Sequence, residues 1–280
     1  MGCKLIRLTP FFIGVNWGFS SNRSMAKGVK GAVGLISKIC NYWRSHNCEE
    51  EYNFYRLMVK EAKGKALELA CGGGRLILRM LHDGFQVDGT DSCSFLLDVL
   101  ARKAKNGGLT PTLHHQRLES IDLPESSYKL VYIPLGSFQL VSDREIAELA
   151  LLKYYKLLEP GGQLVVALFL PWTHDNLDTG GWQIIRDVKL QIKNQRYVER
   201  EATIHDPVEQ IILAKTRFEL WDGYDLLNFQ EREMHLRWYS KGEFIALLKA
   251  AGFAHVKTLR SYTGGPPYRD SFMLFIATKT

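Results

Sequence analysis

Two hydrophobic rhythms divide the chain. Between Lys65 and Leu170, short apolar runs of strand character alternate with stretches of helical spacing. The runs are KALELA (65–70), FQVDGTD (85–91), TLHHQRL (112–118), YKLVYIPL (128–135) and QLVVALFL (163–170). The helical stretches extend from Arg75 to His82, from Phe95 to Lys105 and from Asp143 to Leu158, the last stopping before Glu159-Pro160-Gly161-Gly162. Strand and helix alternating at this spacing predict parallel βαβ units, and the unbroken apolarity of QLVVALFL predicts a central strand covered on both faces. Ahead of the first strand, Tyr52, Tyr55, Val59 and Ala62 share one face of a predicted helix that Gly64 ends.

After Pro171 the period drops to two. VKLQI, RYVEREATI, QIILAKTRFELW and YDLLNFQEREMHLRWY alternate apolar and polar residues with no helical segment between them. Asp222-Gly223 predicts a tight hairpin among them, so an antiparallel insertion is expected from about 172 to 238. SKGEFIALLKAAG then reads as a helix with Ser240 as N-cap, Glu243 completing a capping box and Gly252 as its stop. AHVKTLRSY and SFMLFIATK return the chain to the sheet. The predicted class is α/β: a Rossmann-like, doubly wound, mostly parallel seven-stranded sheet with an antiparallel β insertion.

Composition adds bounds. A chain of 280 residues, 46% hydrophobic and 24% charged, can bury the core of one domain with an elaboration. The net charge of +6 is local: residues 1–48 hold seven Lys or Arg and no acid, leaving 29 basic against 30 acidic residues from Glu49 onward. A basic groove is therefore not expected on the main domain, nor a nucleic-acid partner. Residues 1–48 are expected to be a poorly ordered basic segment and 49–280 the folded domain. LTPFFIGVNWGF is broken by Pro10, Asn16 and Gly18 and does not read as a secretory signal. The acid-free segment leaves organellar import as an alternative to a cytoplasmic location. No apolar run approaches the ~20 residues a spanning helix needs. Five cysteines without a CxxC fit a reducing compartment, and the eight histidines show no metal-ligand spacing, so no metal is expected.

The chemistry sits in LELACGGGRLILRMLHDGFQVDGTD, where three glycines follow a strand and Asp91 comes seventeen residues after Gly74. A phosphate loop would place Lys and Ser or Thr after the glycines, and Arg75-Leu76 stand there instead. A dinucleotide fold wants GxGxxG, and from Gly72 the pattern is GxGxxI, with Ile77 in the last position. NAD is thus the second choice. A ligand with a ribose and no phosphates remains, the acid taking its two hydroxyls; S-adenosylmethionine fits that description.

At these residues the chain resembles the class I S-adenosylmethionine-dependent methyltransferases, over roughly Tyr52 to Lys279. LELACGGGR is similar to that family's first motif, VDGTDSC to its second, LESIDLP to its third, and YKLVYIPLGSF and LLEPGGQLVV to its fourth and fifth, in order and spacing. HLRWYSKGEFIALLKAAGF resembles the closing region of the small-molecule branch, which includes sugar N-methyltransferases. The resemblance implies S-adenosylmethionine as cofactor and a small-molecule acceptor methylated on N or O by in-line displacement. An NAD-dependent oxidoreductase and a catalytically silent cofactor-binding module are the alternatives.

By the same resemblance Glu68 would neutralise the cofactor's amino group, and Ala70, Gly72 and Gly74 would bring the main chain close to its methionine part. Asp91 and Ser92 would meet the ribose, Glu119 and Ser120 the adenine, and the Leu135 carbonyl the amino group. Ala70 replaces the first glycine of the usual pattern, a change expected to be tolerated because it precedes the tight turn. Tyr52 or Tyr55 is expected near the sulfonium as a cation–π partner. His174, His205 and His235 lie in or beside the insertion, and none is singled out as a base. IPLGSF is not the motif that arranges planar nitrogens, which counts against nucleic-acid bases.

Overall fold

The computed structural model describes residues 49–170, 181–190, 194–263 and 272–280. The basic segment 1–48, Trp172 and His174 lie outside those residues.

Helix α1 (Glu49–Ala62) buries Tyr52, Tyr55, Met58 and Val59 along the predicted face. Its stop, Gly64, lies so close to Lys129 that an added Cβ would fall 2.4 Å from that side chain's Cγ. Then follow β1 (Ala66–Leu69), α2 (Ile77–His82), β2 (Val87–Asp91), α3 (Ser94–Asn106), β3 (Leu113–His115), β4 (Tyr128–Ile133), α4 (Arg144–Leu157) and β5 (Leu158–Phe169). After the insertion come α5 (Lys241–Ala250), β10 (His255–Leu259) and β11 (Phe272–Thr278). The main sheet has seven strands in the order β10-β11-β5-β4-β1-β2-β3. β1 to β5 are parallel, and β11 runs antiparallel to both β5 and β10.

Strand order reverses at β1, which lies between β4 and β2. Chain connections there leave in opposite directions, so the loops after β1 and β4 open a crevice at the carboxyl ends of the strands. Two apolar layers flank the sheet. One includes Leu69, Val131, Phe138, Leu151, Phe244 and Phe275, and the other Tyr55, Ile77, Met80, Leu100, Leu130 and Tyr132, all buried.

The insertion is a separate four-stranded antiparallel sheet, β6 (Gln183–Lys189), β7 (Gln195–Asp206), β8 (Ile211–Asp222) and β9 (Asp225–Arg237), in chain order. Asp222 pairs with Asp225 across the two-residue turn Gly223-Tyr224, with Gly223 at φ 57°, as the hairpin signal predicted. Ser240 and Glu243 form the predicted capping box on α5.

Three boundaries differ from the sequence reading. β5 begins at Leu158, five residues early, because Leu158 pairs with Tyr128 before a register shift resumes pairing at Gln163. The Gly161-Gly162 pair is absorbed into the strand by two amide contacts with Lys279. TLHHQRL supplies only a three-residue strand, and Leu118–Ser120 is a 3-10 turn. The first insertion strand starts at Gln183, ahead of VKLQI.

Gln139 fixes the crevice wall. It is fully buried in the 3-10 turn Ser137–Leu140 after β4. Its side-chain oxygen accepts from the Phe169 amide at 2.7 Å, and its side-chain nitrogen donates to the Phe169 carbonyl at 3.3 Å. The side chain thus continues the β4–β5 pairing past the end of β4. We expect Gln139→Ala to lower unfolding stability by about 2 kcal/mol, from two lost buried hydrogen bonds, as read by urea titration; a loss within error would show that the turn is held otherwise.

Candidate functional site

The site grows from the bend after β1. Ala70 adopts φ 58° and Gly72 φ 54°, and the Cys71 amide donates to Thr90 O at 2.8 Å, tying the bend to β2. Ala70 therefore lies within the tight turn and in the left-handed region, where the expectation had it preceding the turn. An L-residue there costs roughly 1 kcal/mol or more. Gly74 has a different task from the one expected: at φ 89°, a Cβ on it would come within 2.9 Å of Leu100 and Leu78, so its bareness lets the apolar side chains of α2 and α3 close over the loop.

Asp91 ends β2 and is 1% exposed. Its Oδ2 accepts from the Gly72 amide and its Oδ1 from the Cys93 amide, both at 2.8 Å. The carboxylate thus organises the glycine bend and the entry to α3 while lying at the rim of a cleft. Each carboxylate oxygen has a second lone pair for a ligand hydroxyl.

That cleft is lined by Ala70, Asp91, Ser92, Glu119 and the apolar Leu118, Leu140 and Val141, together with Gln116 and Arg117. Four of the nine sequence candidates therefore meet at one opening. Gly72 joins them through its amide on Asp91, and Leu135 stands at the neighbouring wall, packed with Leu140 in one apolar cluster. Leu135 and Gly136 have φ 55° and 68°, a turn closed by the Ser137 amide on Pro134 O at 3.2 Å. Ser120 departs from expectation: it is exposed, its amide donates to Arg117 O at 3.1 Å, and it is not among the cleft-lining residues. A surface acid three residues from a strand end carries no sequence signal of how the turn faces, which is why Glu119 lines the cleft and its neighbour does not.

Glu68, on β1, is 2% exposed. Burial pushes its carboxyl up to about 8, opposed by the Tyr132 hydroxyl that donates to it at 2.9 Å and by the charge of Arg75. Arg75 itself grips Glu51 of α1 in a two-pronged buried pair, and Tyr262 donates to the same Glu51. This Glu51–Arg75–Tyr262 group joins elements far apart in sequence, and no local pattern announced it. Tyr55 stacks on Tyr132 with ring centroids 5.0 Å apart. Tyr52, expected near the sulfonium, turns away: its hydroxyl donates to Asp83 beyond α2, and Arg79 covers its ring.

Cations near the cleft are already matched. Arg117 pairs with Glu119 and Arg75 with Glu51. Ile77, where a dinucleotide fold needs glycine, is fully buried, and its Cδ1 lies 2.9 Å from where a Cβ on Gly89 would be. The room a third glycine would give between helix and sheet is supplied by Gly89 from the strand side. The donor set offers an acid for a diol, apolar walls for a ring and a second acid, with no uncommitted cation for a pyrophosphate. It fits a nucleoside that carries no phosphate.

Comparison with known proteins agrees with that geometry. The methyltransferase-domain family model matches residues 66–162. These residues form a class I methyltransferase domain. S-adenosylmethionine is the cofactor of that class. The methyltransferase domain is 32% identical over 117 residues to a demethylmenaquinone methyltransferase of Thermus thermophilus, a match covering 41% of this chain and about half, 51%, of that protein. Two solved structures share its fold. An S-adenosylmethionine-dependent methyltransferase from Clostridium acetobutylicum superposes with TM-score 0.70 at 15% identity, covering 87% of this chain and 98% of that one. A sugar N-methyltransferase from a Streptoalloteichus species superposes with TM-score 0.69 at 19% identity, covering 92% and 97%.

Two outcomes follow. Relieving the left-handed Ala70 by Ala70→Gly is expected to leave stability unchanged or raise it by up to about 1 kcal/mol, measured by chemical unfolding; a loss would show that the methyl group packs. Glu68 has a raised folded-state pKa, so its contribution to stability is complete below about 4.5 and is lost as pH climbs to about 8. Glu199 and Glu201 of the insertion, raised to about 7 by burial, act in the same direction. The ligand-free protein should melt at a higher temperature at pH 5.5 than at pH 8, and Glu68→Gln should shrink that difference.

Proposed function

We propose that the protein transfers a methyl group from S-adenosylmethionine to N or O of a small-molecule acceptor. The observation that supports this most directly is the Asp91 carboxylate at the tip of β2, buried, bound to two amides and facing a cleft with apolar walls. In this reading Asp91 and Ser92 hold the ribose, and Leu118, Leu140 and Val141 flank the adenine with Glu119 at its amine. The bend from Ala70 through Gly72 to Gly74 passes the methionine part, and the Leu135 carbonyl meets its amino group. Ser120 contributes only through the turn it completes.

The bound cofactor supplies an electrophilic methyl group on a sulfonium, open to in-line displacement. What the chain adds is alignment and exclusion of water, and good orientation alone is worth about 7 kcal/mol or more of barrier. Glu68, protonated at neutral pH while the site is empty, would release its proton when an ammonium group arrives beside it. Similarity to structures that include a sugar N-methyltransferase supports the small-molecule reading of the acceptor.

Calorimetry with S-adenosylhomocysteine and with NADH tests the reading. Binding of the first and not the second is expected, with Asp91→Asn weakening it at least tenfold. Because the amide donors of Gly72 and Cys93 keep one oxygen partner in Asn and none in Ala, Asp91→Asn is the fair variant. Heat with NADH alone would replace this function by a dinucleotide one.

A further inference from the structure

The insertion sheet has one face built unlike an ordinary sheet surface. Cross-strand register places Glu199, Phe218 and Gln230 in one row, Glu201, Thr216 and Arg232 in the next, then Thr203, Ala214 and Met234, and last His205, Ile212 and Leu236. Residues opposite each other in an antiparallel ladder share a face, so these four rows form one continuous strip. Its lower end is apolar: Ile212, Ala214 and Leu236 are buried in one cluster with Leu135 and Leu140, and Leu140 also lines the nucleoside cleft. Its upper end is polar and out of water. Glu199 is 2% and Thr216 0% exposed.

Buried polar groups are normally hydrogen-bonded, and the opposite face of the same sheet obeys that rule. Glu219, 3% exposed, accepts from Arg200 and Trp221 and pairs with Arg217. On the strip, neither carboxylate oxygen of Glu199 has a hydrogen-bond partner among the described residues, nor has the Thr216 hydroxyl. The nearest cation to Glu199 is Arg186 of β6, whose Nε stands at 3.9 Å, beyond hydrogen-bond reach. Arg232 rests its guanidinium 5.2 Å from the Phe218 ring centre, leaving Nε and Nη1 without partners. Burial raises both Glu199 and Glu201 to about 7 against the pull of the two arginines.

We propose that this strip is the acceptor subsite, and that the carboxyl groups of Glu199 and Glu201 select an acceptor bearing a protonated amine beside oxygen substituents. The inference rests on the methyl-transfer reading of the adjoining cleft. Two desolvated carboxyl groups without a bonded cation attract a positive ligand more strongly than a neutral one of the same shape. Thr216 and the free guanidinium nitrogens of Arg232 supply the neighbouring contacts for hydroxyl or ether oxygens. The strip begins where the cleft's Leu140 ends, so an acceptor lying along it reaches toward the methionine end of the cofactor.

A matched pair of probes tests this: trans-2-aminocyclohexanol and trans-cyclohexane-1,2-diol, titrated by ligand-observed NMR into the full chain saturated with S-adenosylhomocysteine. The amine is expected to bind at least tenfold more tightly than the diol in the unaltered protein. The double variant Glu199→Gln with Glu201→Gln should remove that preference while keeping S-adenosylhomocysteine affinity within about twofold. Equal binding of the two probes, binding of neither, or a preference that survives in the double variant overturns the proposal. The comparison in the unaltered protein decides the question even if the variant does not fold. Loss of S-adenosylhomocysteine binding in the unaltered protein would instead strike the cofactor reading beneath it.

Discussion

One carboxylate sets the geometry of the candidate site. Asp91 receives the amide of Gly72 from the bend after β1 and the amide of Cys93 from the entry to α3, so three chain segments that could each move singly are held at one point. The consequences spread outward. The bend must turn sharply to present Gly72, which puts Ala70 and Gly72 in the left-handed region. The helix after it must then settle onto β2, and Gly89 makes that approach possible by leaving space for Ile77 and Cys71. Hydrogen bonds from amides to a buried carboxylate are stronger than neutral ones, and two of them converging on one side chain make the bend a fixed wall of the cleft.

Much of this was legible along the chain because it depends on local period. Strand runs, helix faces, the Asp222-Gly223 hairpin and the Ser240–Glu243 cap are each written within a few residues, and each appears in place. What could not be read depends on partners far apart. Arg75 and Glu51 are 24 positions apart, and Tyr262 reaches Glu51 across 211. No pattern in either neighbourhood implies that they meet. The start of β5 was misplaced for a related reason. Pro160-Gly161-Gly162 reads as a turn, yet pairing with Tyr128 on one side and Lys279 on the other draws it into the sheet. Tyr52 went astray because helical spacing fixes which face a residue occupies, and Asp83 rather than the cleft lay opposite that face.

Glycine meaning was only half legible. Three in a row suggested a close main-chain approach to a ligand, and Gly72 serves the cleft through its amide. Gly74 is needed for a different close approach, that of Leu78 and Leu100. The motif thus combines two constraints, one from the ligand side and one from core packing, which a sequence pattern cannot separate.

The buried acids show how the same side chain takes different roles from its surroundings alone. Asp91 is met by two amides and Glu219 by two arginines and an indole, so each is compensated within the fold. Glu68 has one tyrosine hydroxyl, and Glu199 has no hydrogen bond among the described residues. A desolvated carboxyl short of donors favours its neutral form, and both are shifted that way by burial. A carboxyl in that condition answers a positive charge by ionising, whereas one already compensated has little left to gain. The two undercompensated acids lie on either side of Leu135 and Leu140, one on β1 and one on the insertion strip whose lower end packs on those leucines. Folding leaves them unsatisfied in the two places where a cationic cofactor and a cationic acceptor would have to come together.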